Sequence, residues 1–343
     1  MSDLSRIDTS KPASIIIFRS RRLWFLAAAI TIALLPLIFP NSYWRTNLIV
    51  CAINVLLAIG LDFVLGYAGQ LNIGQSAFYG IGAYASTLLI MKLALPFWVA
   101  FALGVMISGI AGALLSGFAV RLRGHYLAIA SLGFAVITYQ ILLNWISLTQ
   151  GPLGIYAIAA PPPIRLPWLP SIAFTNLANM FYLTAGFALL TYFILDQLVR
   201  SPIGETLTAL REDELSAASL GIDGSKWKAF AFAVSSAVAG AAGCFYASFV
   251  GTLVPDAFFI TESFSVLAMV IVGGMGTLIG PVFGAILLTM LPELLRGIGD
   301  LRLIVYGASV ALVVLFIPGG LVQAVRLIAR RVVRAGAKVE SRP

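Results

Sequence analysis

The chain is laid out as apolar runs about as long as a bilayer is thick, and this limits its fold more than any other feature. Runs at 23–39, 48–65, 97–120, 126–148, 181–199, 229–250 and 301–317 carry at most one charge each. A helix crosses the hydrocarbon core in roughly 20 apolar residues, because its backbone groups bond one another and ask nothing of the lipid. The whole chain is 60% hydrophobic and 10% charged, whereas a soluble domain carries charge on about a quarter of its residues. These numbers exclude a soluble enzyme. They also exclude an intrinsically disordered chain, which needs low hydrophobicity, and a collagen-like fibre, since the 32 Gly follow no fixed period.

The net charge of +8 is an orientation signal. Basic residues gather in gaps and ends: Arg19, Arg21 and Arg22 before the first run, Arg121 and Arg123 between two runs, and Arg326, Arg330, Arg331, Arg334, Lys338 and Arg342 in the tail. Such clusters mark the cytoplasmic side. They form no aromatic-interleaved stripe, so nucleic acid is excluded as a partner and the lipid bilayer is the surrounding medium. The chain therefore divides into a cytoplasmic segment 1–22, a membrane domain 23–320 and a basic cytoplasmic tail 321–343. No small-residue cleavage site follows the first run, which reads as an uncleaved span. Cys51 and Cys244 lie inside apolar runs with no ligand spacing around them and read as buried small hydrophobes.

Two regions depart from plain lipid-facing helix. Residues 66–82 read GYAGQLNIGQSAFYGIG, and Gly273-Gly274-Met275-Gly276-Thr277 separates two apolar stretches, 263–272 and 278–291, each too short to cross alone. With the tail inside, the passes after residue 229 must be even in number, which two embedded half-helices satisfy. The expected fold is an all-α polytopic membrane protein with about ten membrane-embedded helices, some glycine-broken, and both termini cytoplasmic. Gly69 to Gly74 with Phe78 and Gly80 echoes Gly276 to Gly280 with Phe283 and Gly284, as a duplicated half would.

Polar residues at membrane depth point to a cavity, a partner helix or a function. Asn54, Asp62, Gln70, Asn72, Gln75, Gln140, Asn144 and Glu262 are of this kind. Asp62 is the acid deepest in an expected span and reads as a helix-end residue near the inner interface. His125 is the single histidine, beside Arg123 at a span end, and supplies neither a histidine metal cluster nor a buried catalytic pair. No catalytic and no metal site is expected. A helix interrupted at depth exposes unpaired N–H groups that favour a carboxylate. On that ground Gly69, Gln70, Asn72, Gly74, Gln75, Gly273, Gly274, Gly276 and Thr277 are candidates to line a translocation path; tight packing through small residues is the alternative.

Two connections stand out. The outer loop 149–178 is proline-rich (Pro161, Pro162, Pro163, Pro167, Pro170) and nearly uncharged, so a mostly irregular segment with a short helix is expected. The cytoplasmic loop 200–228 carries nine charges: Arg200, Glu205, Arg211, Glu212, Asp213, Glu214, Asp223, Lys226 and Lys228. Ser201 is a good N-cap, Pro202 suits the first helical position and Glu205 the first turn. Ile203, Leu207 and Leu210 repeat at helical spacing, and Ala217, Ala218 and Leu220 continue a second short helix that Gly221 ends. Mixed charges around a small apolar stripe suit a groove in another protein better than an anionic bilayer surface.

Several ordered motifs over residues 48–320 resemble the LivM-type permeases of branched-chain amino acid ABC importers. They are Gly66-Tyr-Ala-Gly-Gln-Leu-Asn-Ile-Gly-Gln-Ser-Ala-Phe, Gly124-His-Tyr-Leu-Ala-Ile, Thr149-Gln-Gly-Pro-Leu-Gly154, Ser201-Pro-Ile-Gly-Glu, Leu210-Arg-Glu-Asp-Glu-Leu-Ser-Ala-Ala-Ser-Leu-Gly-Ile222 and Gly273-Gly-Met-Gly-Thr-Leu-Ile-Gly-Pro281. Asp62 departs from the asparagine usual at that point of the family. The resemblance implies a multi-pass permease of the bacterial inner membrane. It implies a second permease subunit of the LivH type, two ATPase subunits that hold ATP and Mg, and a periplasmic solute-binding protein. The solute implied is a branched-chain or related amino acid. It also implies that the loop from Pro202 to Leu220 docks in a cleft of an ATPase subunit, with Pro202, Glu205, Arg211, Asp213, Glu214 and Gly221 in the coupling segment. None of the five lysines follows the glycine spacing of a Walker A loop, so this chain is expected to be no enzyme and to hold no cofactor of its own. A urea or amide permease of the same family and an ion-coupled secondary transporter remain as alternatives.

Overall fold

The computed structural model describes residues 28–119, 125–163, 173–299, 301–316 and 319–322. The segment 1–22, Arg121 and Arg123, Pro167 and Pro170, the side chain of His125 and the tail 323–343 lie outside the described residues.

Thirteen α-helices are described: α1 Ala28–Ile38, then α2 Ser42–Asp62, α3 Gln75–Leu93, α4 Phe97–Ala119, α5 His125–Asn144, α6 Ile146–Thr149, α7 Leu177–Arg200, α8 Pro202–Glu212, α9 Glu214–Ser219, α10 Gly224–Val250, α11 Ile260–Gly273, α12 Ile279–Leu294 and α13 Leu301–Phe316. Six helical runs are long and apolar enough to cross a bilayer: Ser42–Tyr67, Phe97–Gly117, Tyr126–Asn144, Leu177–Arg200, Gly224–Val250 and Pro255–Gly273. Ala28–Ile38 and Ile279–Leu294 are shorter apolar helices. The fold is all-α, polytopic and membrane-embedded.

The last of the six runs differs from expectation. The apolar stretch 263–272 looked too short to cross, but a 3-10 turn at Pro255–Phe258 and the first turn of α11 precede it and make a run of 19 residues. The charged segment 200–228 is largely helical and its end belongs to α10. Asp223 accepts from the N–H groups of Ser225 and Lys226 and starts α10 at Gly224, so Lys226 and Lys228 sit on its first turn.

α10 is the central post, and α2, α3 and α4 pack around it. In lipid there is little hydrophobic drive between helices, so association relies on close backbone approach and on hydrogen bonds. A Cβ added at Gly82 of α3 would stand 2.3 Å from Cα of Gly240; the crossing exists because both residues are glycine. Ser108 of α4 donates to the Ser236 and Phe78 carbonyls at 2.7 and 3.0 Å, and Cys244 Sγ donates to the Gly82 carbonyl at 3.3 Å. Cys51 and Cys244 are both buried and free. Further along, Phe101 of α4, Phe187 of α7 and Phe245 of α10 form a ring triad with centroids 4.9–5.4 Å apart, a geometry that adds about 0.5–1.5 kcal/mol per pair to plain burial. α2 is buried on every side over its second half and packs against α7, α11 and α12 as well. Asn54 spends its amide on that contact, donating to Thr289 Oγ1 at 2.9 Å.

At the far end of α10 lie the described residues of the proline-rich connection. It opens with α6 and a 3-10 turn at Gly151–Leu153. Ile155 and Tyr156 then pair antiparallel with Leu253 and Thr252 in a two-residue ladder. Tyr139 ties α5 to the same end by donating to Asp256 Oδ1 at 2.8 Å. α8 and α9 form a hairpin at the opposite end, between α7 and α10.

Candidate functional site

The two glycine breaks lie side by side, and the hairpin reaches both. The first break is narrower than its composition suggested. α2 does not stop at Asp62 but continues through a π-turn at Phe63–Tyr67, and the irregular backbone runs only from Ala68 to Gly74. The widened turn closes with the Gln70 N–H donating to the Val64 carbonyl at 3.0 Å. π-turns are rare and often mark functional places in a helix. Here the turn leaves the Gly66 carbonyl available to a partner outside the helix.

That partner is Arg211 at the end of α8, whose Nη1 donates to the Gly66 carbonyl. The second break contributes Gly276, whose N–H donates to Asp62 Oδ1 at 2.8 Å, and Leu278, whose N–H donates to the Tyr67 hydroxyl at 3.3 Å. The approach leaves no room for side chains. A Cβ at Gly66 would stand 2.3 Å from Asp62 Oδ1 and 2.5 Å from the Gly276 nitrogen. Gly69 and Gly276 both have φ near +70°, a region L side chains rarely adopt. The stem of Arg211 lies over Gly69, where an added Cβ would come within 2.7 Å of its Cγ. Asp62 is fully buried, and its Oδ2 has no hydrogen-bond partner among the described residues. In the same break, Thr277 donates to the Gly274 carbonyl at 2.9 Å, and the Gly274 N–H continues α11 by donating to Val270 at 2.9 Å. Gly273 is buried where α11 meets the start of α12.

A second polar cluster sits at the start of α3. Asn72, Gly74 and Gln75 are buried. Asn72 Oδ1 accepts from the Gly74 N–H at 2.8 Å, and its amide nitrogen donates to Gln75 Oε1 at 3.1 Å. The Ile73 N–H is taken by Ser131 of α5 and the Ser76 N–H by Ser263 of α11, both at 2.9 Å. Ser263 also donates to Ser76 Oγ at 2.9 Å. A helix start at depth was expected to present free N–H groups; three of them are instead satisfied by side chains from three segments. Gln70 Oε1 is buried with no partner among the described residues. Glu262 stands in the first turn of α11, next to Ser263.

The hairpin is built by caps. Ser201 accepts from the Ile203 N–H at 3.2 Å, Pro202 takes the first helical position, and Glu205 points from the first turn into solvent. Leu207 and Leu210 are buried on the inner face. Asp213 breaks α8 from α9 and caps the latter. Its carboxylate takes the Leu215 and Ser216 N–H groups at 2.9 and 3.2 Å and the Ser216 hydroxyl at 2.6 Å. These bonds, the Ser216 hydroxyl foremost, hold the Asp213 carboxyl below the usual carboxylate range. The Lys226 side chain, followed by the α10 N–H groups, does the same for Asp223. Glu214 pairs with Lys228 at 2.7 Å, and Gly221, with φ +82°, turns the chain out of α9. Arg211, Asp213 and Glu214 therefore all hold partners within this chain. Beside the exposed charges of Glu205 and Glu212 the hairpin also turns two large apolar side chains outward, Leu215 and Leu220, 71% and 81% exposed.

The exposure of those two leucines and the contacts of Asp62, Gly66, Tyr67, Ser131 and Ser263 are features that the sequence did not signal. α5 adds one more feature. Ile137, Gln140, Ile141 and Asn144 are exposed on one face, with Asn144 donating to the Gln140 side chain at 3.1 Å and to its carbonyl at 2.8 Å. Among the described residues, no group of three His, Cys, Asp or Glu side chains is placed to hold a metal ion.

The family described as branched-chain amino acid transport system / permease component matches residues 45–317. The chain is 36% identical over 291 residues to the high-affinity branched-chain amino acid transport system permease protein LivM of Salmonella typhimurium, covering 80% of this chain and 68% of that protein. It is 26% identical over 247 residues to the permease protein LivH of the same organism, covering 68% and 78% of the two chains. It is also 26% identical over 302 residues to the ribose import permease protein RbsC of Haemophilus influenzae, covering 79% and 84%. No solved structure matches the chain.

Proposed function

Since the chain belongs to the permease family of branched-chain amino acid transport systems, we propose that it carries branched-chain or related amino acids across the bacterial inner membrane as one permease subunit of an ABC importer. In this reading it has no ATP site of its own. A LivH-type permease completes the path, two ATPase subunits hold ATP and Mg, and a periplasmic binding protein delivers the solute. About ten helices are embedded, and both termini face the cytoplasm with the hairpin.

The observation that carries the reading is the hairpin. α8 and α9 present Leu215 and Leu220 to solvent at the end of α7, the arrangement of a short helix made to lie in a groove of another protein. Arg211, Asp213 and Glu214 are engaged by bonds within the chain, so in this reading the two leucines carry the contact with a motor subunit, with exposed Glu205 and Glu212 beside them. The exposed amide pair of α5 supports the second permease. Lipid does not solvate Gln140 and Asn144, whereas a partner helix or a wet path does. Closure of the ATPases moves the hairpin, and the hairpin tilts the helices on either side of the two breaks, opening the path alternately to each face.

The reading is tested in proteoliposomes holding both permeases and the ATPases, with the binding protein outside. Radiolabelled leucine is expected to accumulate when ATP is enclosed and to do so with ionophores present. Uptake that needs no ATPase and collapses with the ionophores makes the protein an ion-coupled transporter. Competition by urea, with none by isoleucine or valine, makes it an amide permease.

A further inference from the structure

Arg211 and Asp62 come from segments far apart in the chain and meet at the point where both glycine breaks meet. The guanidinium on α8 holds the last turn of α2 through the Gly66 carbonyl. One turn earlier on the same helix, Asp62 holds the second break through the Gly276 N–H at 2.8 Å. The elements are thus linked in series: hairpin, end of α2, loop before α12. The first link is a charge-assisted hydrogen bond, the stronger kind, and the second is made by a fully buried side chain, where a hydrogen bond counts for more than in water. Gly66 and Gly276 lack the Cβ atoms that would hold the partners apart, as a Cβ on Gly276 would stand 3.2 Å from Arg211 Nη1.

The charges are matched but not locked. Arg211 and Asp62 reach the same turn of backbone from two segments, yet among the described residues the two form no direct ion pair. Asp62 Oδ2 stays buried without a hydrogen-bond partner among those residues. A buried lone acid serving only as a helix end has no need of a cation from another segment.

Building on the permease reading above, we propose that Arg211 and Asp62 transmit the movement of the hairpin to both glycine breaks, with Arg211 as the positioning residue for the transport stroke rather than a contact to the ATPase. The test uses the complete importer in proteoliposomes with leucine as the probe. Arg211→Gln is expected to keep its ATPase subunits through purification and to go on hydrolysing ATP. Leucine imported per ATP falls about tenfold, the scale of one lost charge-assisted hydrogen bond. Arg211→Lys, which restores the charge and a donor, is expected to recover part of that ratio. Loss of the ATPase subunits in Arg211→Gln overturns the proposal, because the residue is then a docking contact; an unchanged ratio overturns it as well.

A measurement that leaves Arg211 in place guards against misfolding. Spin labels at the exposed positions Glu212 and Met275 are expected to keep one distance with and without trapped nucleotide, since the hairpin and the second break move together. A change of about 5 Å, one helical turn, shows that they move apart and overturns the proposal. If the unaltered importer itself fails to take up leucine with ATP, the permease reading fails first; a defect confined to the comparison of variants concerns Arg211 alone.

Discussion

Asp62 and Gly276 stand 214 positions apart in sequence and are joined by a 2.8 Å hydrogen bond from the Gly276 N–H to the Asp62 carboxylate. Around that bond the end of α2, the loop before α12 and the tip of α8 share one small volume. Most of what distinguishes this chain from a plain bundle of apolar helices is concentrated there: a π-turn, two glycines in left-handed conformation, a buried acid and an arginine from a solvent-facing hairpin. The close contact depends on the absence of side chains at specific glycines, which leads to the first prediction.

Gly66→Ala should destabilise the protein more than Gly69→Ala. The methyl at residue 66 meets the Gly276 backbone nitrogen at 2.5 Å, which cannot yield without moving the second break; that at residue 69 meets the Arg211 side chain, which can turn away. At residue 66 the backbone overlap adds overpacking of about 1–3 kcal/mol in a contact that cannot relax, against about 1–2 kcal/mol for alanine in the left-handed region at residue 69. Thermal unfolding in detergent should show the larger drop in midpoint for Gly66→Ala. Equal drops mean the two breaks are not in contact.

The cap on α9 sets a pH dependence with a definite sign. The Asp213 carboxyl titrates below its ordinary range because the folded state bonds its anion. Its contribution is therefore complete above the ordinary carboxylate pKa and is lost only as pH falls through the lower folded value. Amide exchange in residues 214–219 should be protected equally from pH 8 to pH 5, after allowing for intrinsic exchange rates, and should rise only in stronger acid. Asp213→Asn keeps an acceptor for the N–H groups and should remove that acid step. A loss of protection near neutral pH contradicts the assignment.

The amides of α5 offer a third prediction. Replacing Gln140 and Asn144 together with leucine removes two polar groups from an exposed helix face. A lipid-facing position should tolerate this or gain stability. A position on the solute path or at the second permease should keep its folded yield and lose most leucine uptake, and the account predicts the latter. Unchanged uptake assigns the face to lipid.

The large elements were legible because apolar length and caps are local signals. Ser201, Pro202 and Gly221 mark the hairpin in sequence much as they do in the fold, since each acts on backbone within a few residues. The breaks were legible as composition but not in extent. Nothing in FVLGY distinguishes a π-turn from an α-turn, so Gly66 and Tyr67 read as loop while they remain helical. The stretch 263–272 read as too short to cross because the 3-10 turn at Pro255–Phe258 that precedes α11 has no apolar periodicity to announce it. Asp62 was the most informative residue and the least legible, because its partners Gly276 and Arg211 are distant in sequence and no spacing encodes them. Arg211, Asp213 and Glu214 looked like contacts for another protein because charge suggests exposure; the fold adds bonds from within, to the Gly66 carbonyl, to the α9 cap and to Lys228, which no local spacing encodes. Leu215 and Leu220 were hidden by the opposite assumption, that leucines face inward.

The claim that matters most is that the α8–α9 hairpin seats in an ATPase subunit, and one measurement addresses it directly. Cysteine is placed at Leu220, the more exposed of the two leucines; Cys51 and Cys244 are buried and do not compete for the reagent. A short thiol-to-amine crosslinker is then added to the assembled complex in membranes. The account predicts a crosslinked species containing this chain and the ATPase subunit, absent when the cysteine is moved to exposed Leu153 at the other end of the fold. Crosslinking at Leu220 only to lipid or to the second permease, with no ATPase captured, would contradict it.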